Sequence, residues 1–463
     1  MTDTELCYLT LADAARLVRA RKVSPVELTC AVLARIEATQ SKTNAFIAVM
    51  GDEALGQAKK AERAIARGNY LGSLHGIPVS VKDIYDMSGY LTTCGSRVLH
   101  DNMAKRDATA VTRLKQAGAV IVGKNNMTEF AVELPSPVYG SARNPWDTER
   151  SPGLSSSGSG AAVTAGASFA SLGTDTGGSI RLPAAFCGCA GIKPTYGRVS
   201  RHGVFPLSWS LDHAGPLART VRDCAIVLET IAGLDDHDAT SSERAVPNYQ
   251  RALKRDLRGV KVGLPKEHFF DLIDTEIGPV VQKAIAVLRE LGAKVREVSI
   301  PGAAKTGQAV GGIIRVEQAA AHEKWLRTRG DLYGGTLGDR LRAAALVPAV
   351  AYLEAQRLRQ VITDDFNAAV REVDVLVTPS TPILPYKITE QPKGGAGEGT
   401  AIARFTMPYD LTGMPAISIP CGFAKGLPVG LQIAGRAFDE STVFRVAHAY
   451  EQATEWRKKR PSV

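Results

Sequence analysis

The stretch VTRLKQAGAVIVGK, residues 111–124, joins a helical pattern to a short apolar run. Val111 and Leu114 have the spacing of one helix face, and Gly118 stands where such a helix ends. The four apolar residues 119–122 are typical of a strand that is buried on both faces. A helix followed by a buried strand is the unit of a helix-covered sheet.

The same unit returns at residues 280–300, and further apolar runs predict strands at 374–379, 416–422 and 429–435. No internal repeat of solenoid period interrupts them. These patterns predict one continuous α/β body over residues 1–463.

Two helical regions are expected within this body, an N-terminal one over about residues 1–70 and an insertion over about 310–370. In the first, Ser24 has the character of an N-cap, with Pro25 at the first helical position and Glu27 completing a capping box. The Gly-rich segment 391–401 is predicted to be a flexible loop.

Composition narrows the class of protein. The 463 residues are 44% apolar and carry a net charge of +9 that is dispersed, apart from the basic run WRKKR at 456–460, which we interpret as a solvated tail. Seven scattered cysteines favour a reduced, cytoplasmic protein over a disulfide framework. The sequence contains neither a signal-peptide pattern nor an apolar run of membrane-spanning length, and we expect no membrane association.

Several common motifs are incomplete. GAVIVGKN, residues 118–125, approaches a phosphate-binding loop, but its centre favours a strand and Asn125 replaces the magnesium-binding hydroxyl. Ser179 lacks the glycine two residues later that a serine-hydrolase elbow requires, since Arg181 stands there.

Cys187 and Cys189 have no second pair at zinc-like spacing, so no metal is expected.

Three other features fit together as one site. The Gly-Gly-Ser turn in TDTGGS, residues 174–179, can aim successive backbone N–H groups at one point, as an oxyanion requires. A Ser/Gly-rich loop, 151–159, precedes it, although such loops often only cap helices. Lys82 follows an apolar run, and burial would lower the pKa of its ammonium and make it a base.

Together these segments resemble the amidase signature family of serine hydrolases. The resemblance covers nearly the whole chain and rests on the following stretches, in this order: HGIPVSVKDIYD, GAVIVGKNNMTEFA, SPGLSSSGSGAA, LGTDTGGSIRLPAAFCGCAGIKPTYGRVS, SLDHAGPLART, DVLVTPSTP and GLPVGLQIAG. It implies an α/β fold with a mixed, twisted β-sheet flanked by helices on both faces, in agreement with the pattern.

The resemblance also assigns roles to residues. The family's Ser–cis-Ser–Lys triad falls on Ser179 as nucleophile, Ser155 as bridging serine and Lys82 as base. The implied oxyanion hole consists of the backbone amides of Thr176, Gly177, Gly178 and Ser179. The implied supporting residues around the turn are Ser156, Asp175 and Arg181. Leu154 replaces a family glycine directly before the bridging serine.

The implied activity is hydrolysis of a carboxamide to a carboxylic acid and ammonia or an amine, through an acyl-enzyme and without a cofactor. Esters and carbamates are further substrates within the family. We expect a stand-alone amidase with a small-molecule amide substrate, no nucleic-acid partner, and a homodimer as the assembly to consider. Phe130, Trp209 and Arg359 are the candidate pocket residues.

One alternative is the A subunit of a tRNA-dependent amidotransferase. Arg359 resembles the arginine that holds a glutamine carboxylate in such proteins. Against this interpretation, Leu182 stands where they tend to carry glutamine, and segment 317–335 lacks their characteristic Asn and Arg-Tyr-Gly. A non-catalytic or nucleotide-binding protein is the remaining alternative.

Overall fold

The computed structural model describes residues 1–132, 135–390 and 402–463, and the predicted loop 391–401 lies outside them. The described chain forms an 11-stranded sheet with the order β1-β3-β2-β4-β6-β5-β10-β11-β9-β7-β8. The strands are β1 Phe46–Val49, β2 Pro78–Lys82, β3 Val120–Asn125, β4 Ala170–Asp175, β5 Ala190–Lys193, β6 His213–Ala218, β7 Lys261–Pro265, β8 Lys294–Val298, β9 Val375–Pro379, β10 Ala416–Ala424 and β11 Leu427–Gly435.

The α-helices are α1 Asp3–Cys7, α2 Leu11–Arg19, α3 Pro25–Thr43, α4 Gly51–Ala66, α5 Thr109–Gln116, α6 Ser157–Thr164, α7 Arg181–Cys187, α8 Val221–Ile231, α9 Gly278–Glu290, α10 Thr306–Thr328, α11 Leu337–Ala344, α12 Ala349–Glu372, α13 Met407–Leu411 and α14 Glu440–Ala453. Short 3-10 helices span Arg97–Leu99, Tyr249–Ala252, Pro301–Lys305, Gly330–Leu332, Ile388–Glu390 and Trp456–Lys458. None of the helices in these described ranges has the length and apolar character needed to cross a bilayer.

The sheet is mixed, with antiparallel pairs at its centre and parallel pairs toward both ends. Successive side chains of a strand point to opposite faces, and β9 shows the consequence. Val375 and Val377 pack in one apolar cluster, whereas Leu376 packs in a second. Helices α3, α8 and α14 contribute to the first cluster, and α10 and α12 contribute to the second. The predicted sheet with helices on both faces is confirmed.

The N-terminal region contains one element that the helical pattern did not predict. Strand β1 joins the edge of the sheet antiparallel to β3, with Phe46 opposite Asn125. The capping box predicted at Ser24 is present, since its hydroxyl accepts hydrogen bonds from the amides of Val26 and Glu27. A four-residue strand between two helices offers too short a pattern for period-two alternation to be recognised.

The strand predicted from GAVIVGKN is also present. All of β3 is buried, and the ammonium of Lys124 forms an ion pair with Asp83 at 2.7 Å. A lysine held in this way inside the sheet cannot reach a nucleotide phosphate, so the strand interpretation of this motif is confirmed.

The sheet also determines where the candidate catalytic segments meet. Strands β2 and β4 are parallel neighbours, with Ser80 opposite Ser171 and Val81 opposite Leu172. Parallel strands end at the same edge of a sheet. Lys82, the last residue of β2, therefore lies beside the chain that leaves β4 for the Gly-Gly-Ser turn.

Candidate active site

Ser179 lies on a tight turn between β4 and α7 and is 7% exposed. The Asp175 carboxylate organises this turn by accepting hydrogen bonds from the backbone amides of Gly178, at 2.5 Å, and Ile180, at 3.1 Å. It also accepts one from the amide of Arg181 at 3.3 Å. The carboxylate therefore satisfies amides that begin α7 and fixes the backbone on both sides of Ser179.

Gly178 is required by its backbone conformation and by its surroundings. Its φ is +137°, and a Cβ there would lie 2.3 Å from Thr406 Oγ1. The Thr406 hydroxyl donates to the carbonyl of Gly177 at 2.6 Å. The turn thus packs against the start of α13 with no room for a side chain.

The guanidinium of Arg181 lies buried beneath the turn. It donates to Asp175 at 2.9 Å, to Asp410 at 2.6 Å and to Gln432 at 2.9 Å. Burial alone would raise the pKa of Asp175, but the adjacent Arg181 guanidinium outweighs it and holds that pKa well below its ordinary value. Asp175 therefore stays ionised, as the hydrogen bonds to the turn require.

Lys82 is completely buried at the end of β2. Its Nζ donates to Ser155 Oγ at 2.6 Å and to Thr174 Oγ1 at 2.8 Å. Burial lowers its pKa to about 7, against smaller opposing effects of charges such as Asp175. A substantial fraction of Lys82 is consequently neutral near pH 7 and able to accept a proton.

Ser155 connects the lysine to the turn that carries Ser179. Its side chain receives the hydrogen bond from Lys82, while its backbone amide donates to Ser179 Oγ at 3.4 Å. The neighbouring Ser156 hydroxyl donates to the carbonyl of Thr174 and accepts from its backbone amide, each at 3.2 Å. These two hydrogen bonds tie the loop to β4. The structure thus brings all three predicted triad residues together, although they span 97 positions in the sequence.

The loop before Ser155 accommodates the leucine that replaces the family glycine. Positive φ occurs at Gly153, at +122°, and not at Leu154. A Cβ on Gly153 would lie 2.6 Å from the backbone of Pro183. Leu154 is half-buried and packs against the second apolar cluster. Glycine is therefore needed at 153, and residue 154 tolerates a side chain.

The backbone amides of the turn differ in availability. The amide of Gly178 is taken by Asp175, whereas those of Thr176, Gly177 and Ser179 donate to no acceptor within the described ranges. Amides that are free and adjacent are the kind of donor an oxyanion hole uses.

The three candidate pocket residues differ widely in their exposure to solvent. Phe130 is 1% exposed and has a φ of +48°. Its ring packs edge-on against that of His322, with the two ring centroids 4.4 Å apart. Trp209 is 56% exposed. Arg359 is half-buried, and its Nε donates to the carbonyl of Leu411 at 2.7 Å.

Sequence reasoning assigned no role to three side chains that the structure places in the site. Thr174 accepts from Lys82, Asp212 accepts from the Thr176 hydroxyl at 2.6 Å, and Asp410 accepts from Arg181. Thr174 and Asp212 lie in the stretches that carry the family resemblance. Their role depends on contacts that only the folded chain makes.

The mixed sheet with helices on both faces is the fold of solved amide-hydrolysing enzymes, among them a peptide amidase and an aryl acylamidase. The family model described as Amidase matches residues 27–444, and the chain belongs to this family. It is an enzyme that hydrolyses amide carbon–nitrogen bonds.

Comparisons with individual proteins refine this assignment. The chain is 41% identical to the A subunit of a glutamyl-tRNA(Gln) amidotransferase from Roseiflexus sp. (strain RS-1), over 99% of each chain. It matches the solved native peptide amidase of Stenotrophomonas maltophilia with a TM-score of 0.86 and 33% identity, over 98% of each chain. A structure described as a vestigial protein complex, bearing on the origins of an s-triazine catabolic enzyme, matches with a TM-score of 0.90 and 34% identity, over 96% of this chain and 98% of that one.

These relatives correct the expected partners. We expected a small-molecule amide substrate, no nucleic-acid partner and a homodimer as the assembly to consider. This expectation is wrong, because a relative matched over 99% of its length is named as one subunit of a glutamyl-tRNA(Gln) amidotransferase. The dispersed net charge of +9 could not have indicated membership of a multi-subunit complex, because contact with another protein chain needs no concentrated basic patch.

Proposed function

We propose that this chain hydrolyses its amide through Ser179, with Ser155 and Lys82 as the proton relay. The observation that carries the proposal is the 2.6 Å hydrogen bond between Lys82 Nζ and Ser155 Oγ, in a site where neither residue is more than 1% exposed. The backbone amide of Ser155 also donates a hydrogen bond to Ser179 Oγ at 3.4 Å, which supports the connection between the relay and the nucleophile.

The reaction begins with neutral Lys82. Ser179 Oγ attacks the amide carbonyl carbon and gives its proton to Ser155 Oγ, while the proton of Ser155 passes to Lys82 Nζ. The tetrahedral intermediate collapses as this relay returns a proton to the leaving nitrogen, which departs as ammonia or an amine. Water then attacks the Ser179 ester along the same relay, releasing the carboxylic acid and restoring the serine.

We propose that the amides of Thr176, Gly177 and Ser179 hold the oxyanion of both tetrahedral intermediates. The amide of Gly178 belongs to the same turn, but its donation to Asp175 at 2.5 Å gives it the task of shaping the turn. One oxyanion donor typically contributes about 2.7–4 kcal/mol to transition-state stabilisation.

We further propose that the chain is the A subunit of a tRNA-dependent amidotransferase and provides ammonia to a second protein of that complex. The support is the 41% identity to such a protein over 99% of both chains. Arg359 adds to it, as the residue resembling the arginine that holds a glutamine carboxylate. Leu182 and segment 317–335 depart from the usual pattern of these proteins and are the features that weigh against this proposal.

The test compares the purified chain alone with the chain plus the other amidotransferase subunits of its own cell. The readouts are ammonia release from glutamine and formation of glutaminyl-tRNA(Gln) from glutamyl-tRNA(Gln). We expect both to require the other subunits and Ser179. Full turnover of simple aryl amides by the chain alone, with no stimulation by the other subunits, would instead identify a stand-alone amidase.

Two further proposals concern organisation and location. We propose that residues 1–463 form a single domain, because one sheet connects elements from β1 to β11. We also propose a cytoplasmic location, since all seven cysteines are free and six of them are buried.

A further inference from the structure

A short loop, residues 207–212, lies between the nucleophile turn and the helix pair α10–α12. On the side of the turn, Asp212 accepts a hydrogen bond from the Thr176 hydroxyl at 2.6 Å. The same carboxylate accepts hydrogen bonds from the backbone amides of Leu207, at 2.9 Å, and Ser208, at 3.1 Å. These bonds close the loop on itself. Any shift of the loop would therefore move the acceptor that orients Thr176.

On the side of the helices, Glu317 of α10 holds the loop. Its Oε2 accepts from the Ser208 hydroxyl at 2.6 Å and from the Ser210 amide at 3.0 Å. Its Oε1 accepts from the Ser210 hydroxyl at 2.6 Å and from the Tyr352 hydroxyl of α12 at 2.8 Å. Glu317 is only 5% exposed. Four donors converge on this one carboxylate.

From this connected set of contacts we propose that Glu317 is a positioning residue for the oxyanion hole. It acts through the 207–212 loop and Asp212 on Thr176, whose amide is one of the proposed oxyanion donors. The inference rests on the proposed amide hydrolysis at Ser179. It adds a remote residue that sets how well the turn stabilises the transition state.

The chemistry of the contacts explains why a carboxylate is needed. An ionised glutamate offers only acceptor sites, and all four of its partners here donate. A glutamine would direct its NH2 group at one pair of these donors and would lose those hydrogen bonds. Arg359 donates to the Ser210 carbonyl at 3.2 Å, so the loop is also held from α12, and removing the charge of Glu317 should shift the loop without unfolding it.

The test is a double-mutant cycle with Glu317→Gln and Thr176→Val. The matched control is Glu323→Gln, on the same helix but exposed and paired with Arg327. For each variant, kcat and KM are measured on one amide, together with Ki for an aldehyde analogue that forms an oxyanion on Ser179. Thermal unfolding reports stability.

We expect each single variant to lower kcat by about 10- to 100-fold, which is less than the roughly 100- to 1000-fold cost of removing an oxyanion donor, because the Thr176 amide is displaced and not removed. Ki of the aldehyde should rise by the same factor, while KM changes less than about twofold. Because both substitutions break one chain of contacts, the double variant should lose little more than the worse single variant. Glu323→Gln should match wild type.

Independent, multiplicative losses in the double variant would overturn the inference, as would an unchanged kcat in Glu317→Gln. So would a kcat loss that leaves the aldehyde Ki unaltered. These outcomes are distinct from failure of the proposed function, which would appear as wild-type turnover that survives Ser179→Ala.

Discussion

Lys82 Nζ lies 2.6 Å from Ser155 Oγ, and neither residue is more than 1% exposed to solvent. Burial lowers the pKa of this lysine to about 7, so its two protonation states are close in free energy at neutral pH. In the proposed mechanism, this contact gives the site a base that needs no histidine. It also links the pH dependence of activity and of stability to one side chain.

Activity should rise with pH through about 7. Lys82 can accept a proton only in its neutral form, so kcat/KM should fall about tenfold per pH unit below that pKa. The pH profile of kcat/KM measures this, and thermal unfolding over the same range is the control for loss of fold. A flat profile from pH 5 to 8 would contradict a basic role for Lys82.

Stability should respond to the titration of the same lysine. The pKa of Lys82 is about 7 in the folded protein against an ordinary 10.5, so between these values the unfolded chain binds the additional proton. The destabilisation from burying Lys82 is therefore fully present below pH 7 and disappears as pH rises toward 10.5.

Lys82→Met removes this dependence. The free energy of unfolding of wild type, relative to Lys82→Met, should increase between pH 7.5 and 9.5 by up to about 1.4 kcal/mol per unit. Urea unfolding at the two pH values measures it. An identical slope in both proteins would mean that the pKa of Lys82 is not lowered.

Gly178→Ala should be strongly damaging. The new Cβ would lie 2.3 Å from Thr406 Oγ1 at a φ of +137°, and such strain costs about 1–3 kcal/mol before any clash is counted. We expect lower stability and a large loss of kcat. Gly56→Ala is the control, because nothing lies within 4 Å of its Cβ in α4, and it should stabilise by about 0.5–1 kcal/mol.

Arg181→Met should destabilise the protein by about 3–5 kcal/mol, because it leaves the buried carboxylates of Asp175 and Asp410 without their cation. The comparison is Arg327→Met, which removes an exposed partner of Glu323 and should cost less than about 1 kcal/mol. Denaturant unfolding of both variants decides the matter, and equal effects would contradict a supporting role for Arg181 beneath the turn.

The parts of the molecule that local pattern determines were predictable. Helix–strand alternation indicated the sheet class, and the strand character of 119–122 ruled out the phosphate-binding loop. The motif around Ser179 led to Lys82 and Ser155 through family resemblance. Strand β1 was missed because four residues carry too little periodicity.

Long-range contacts were not predictable in the same way. Asp212 is 36 positions from Thr176, and Glu317 is 109 positions from Ser208, yet each pair is joined by a 2.6 Å hydrogen bond. A single sequence gives no sign that such polar residues meet inside the fold. The partner class was wrong for a related reason, since an interface with another protein leaves no trace in overall composition.

The most direct test of the central proposal is to trap the acyl-enzyme. The protein is mixed with a slowly hydrolysed ester or carbamate, quenched during turnover, digested, and analysed by mass spectrometry. We predict one acyl adduct, on the peptide that contains Ser179, and its absence together with loss of turnover in Ser179→Ala. An adduct on another residue, or wild-type turnover by Ser179→Ala, would contradict the proposed mechanism.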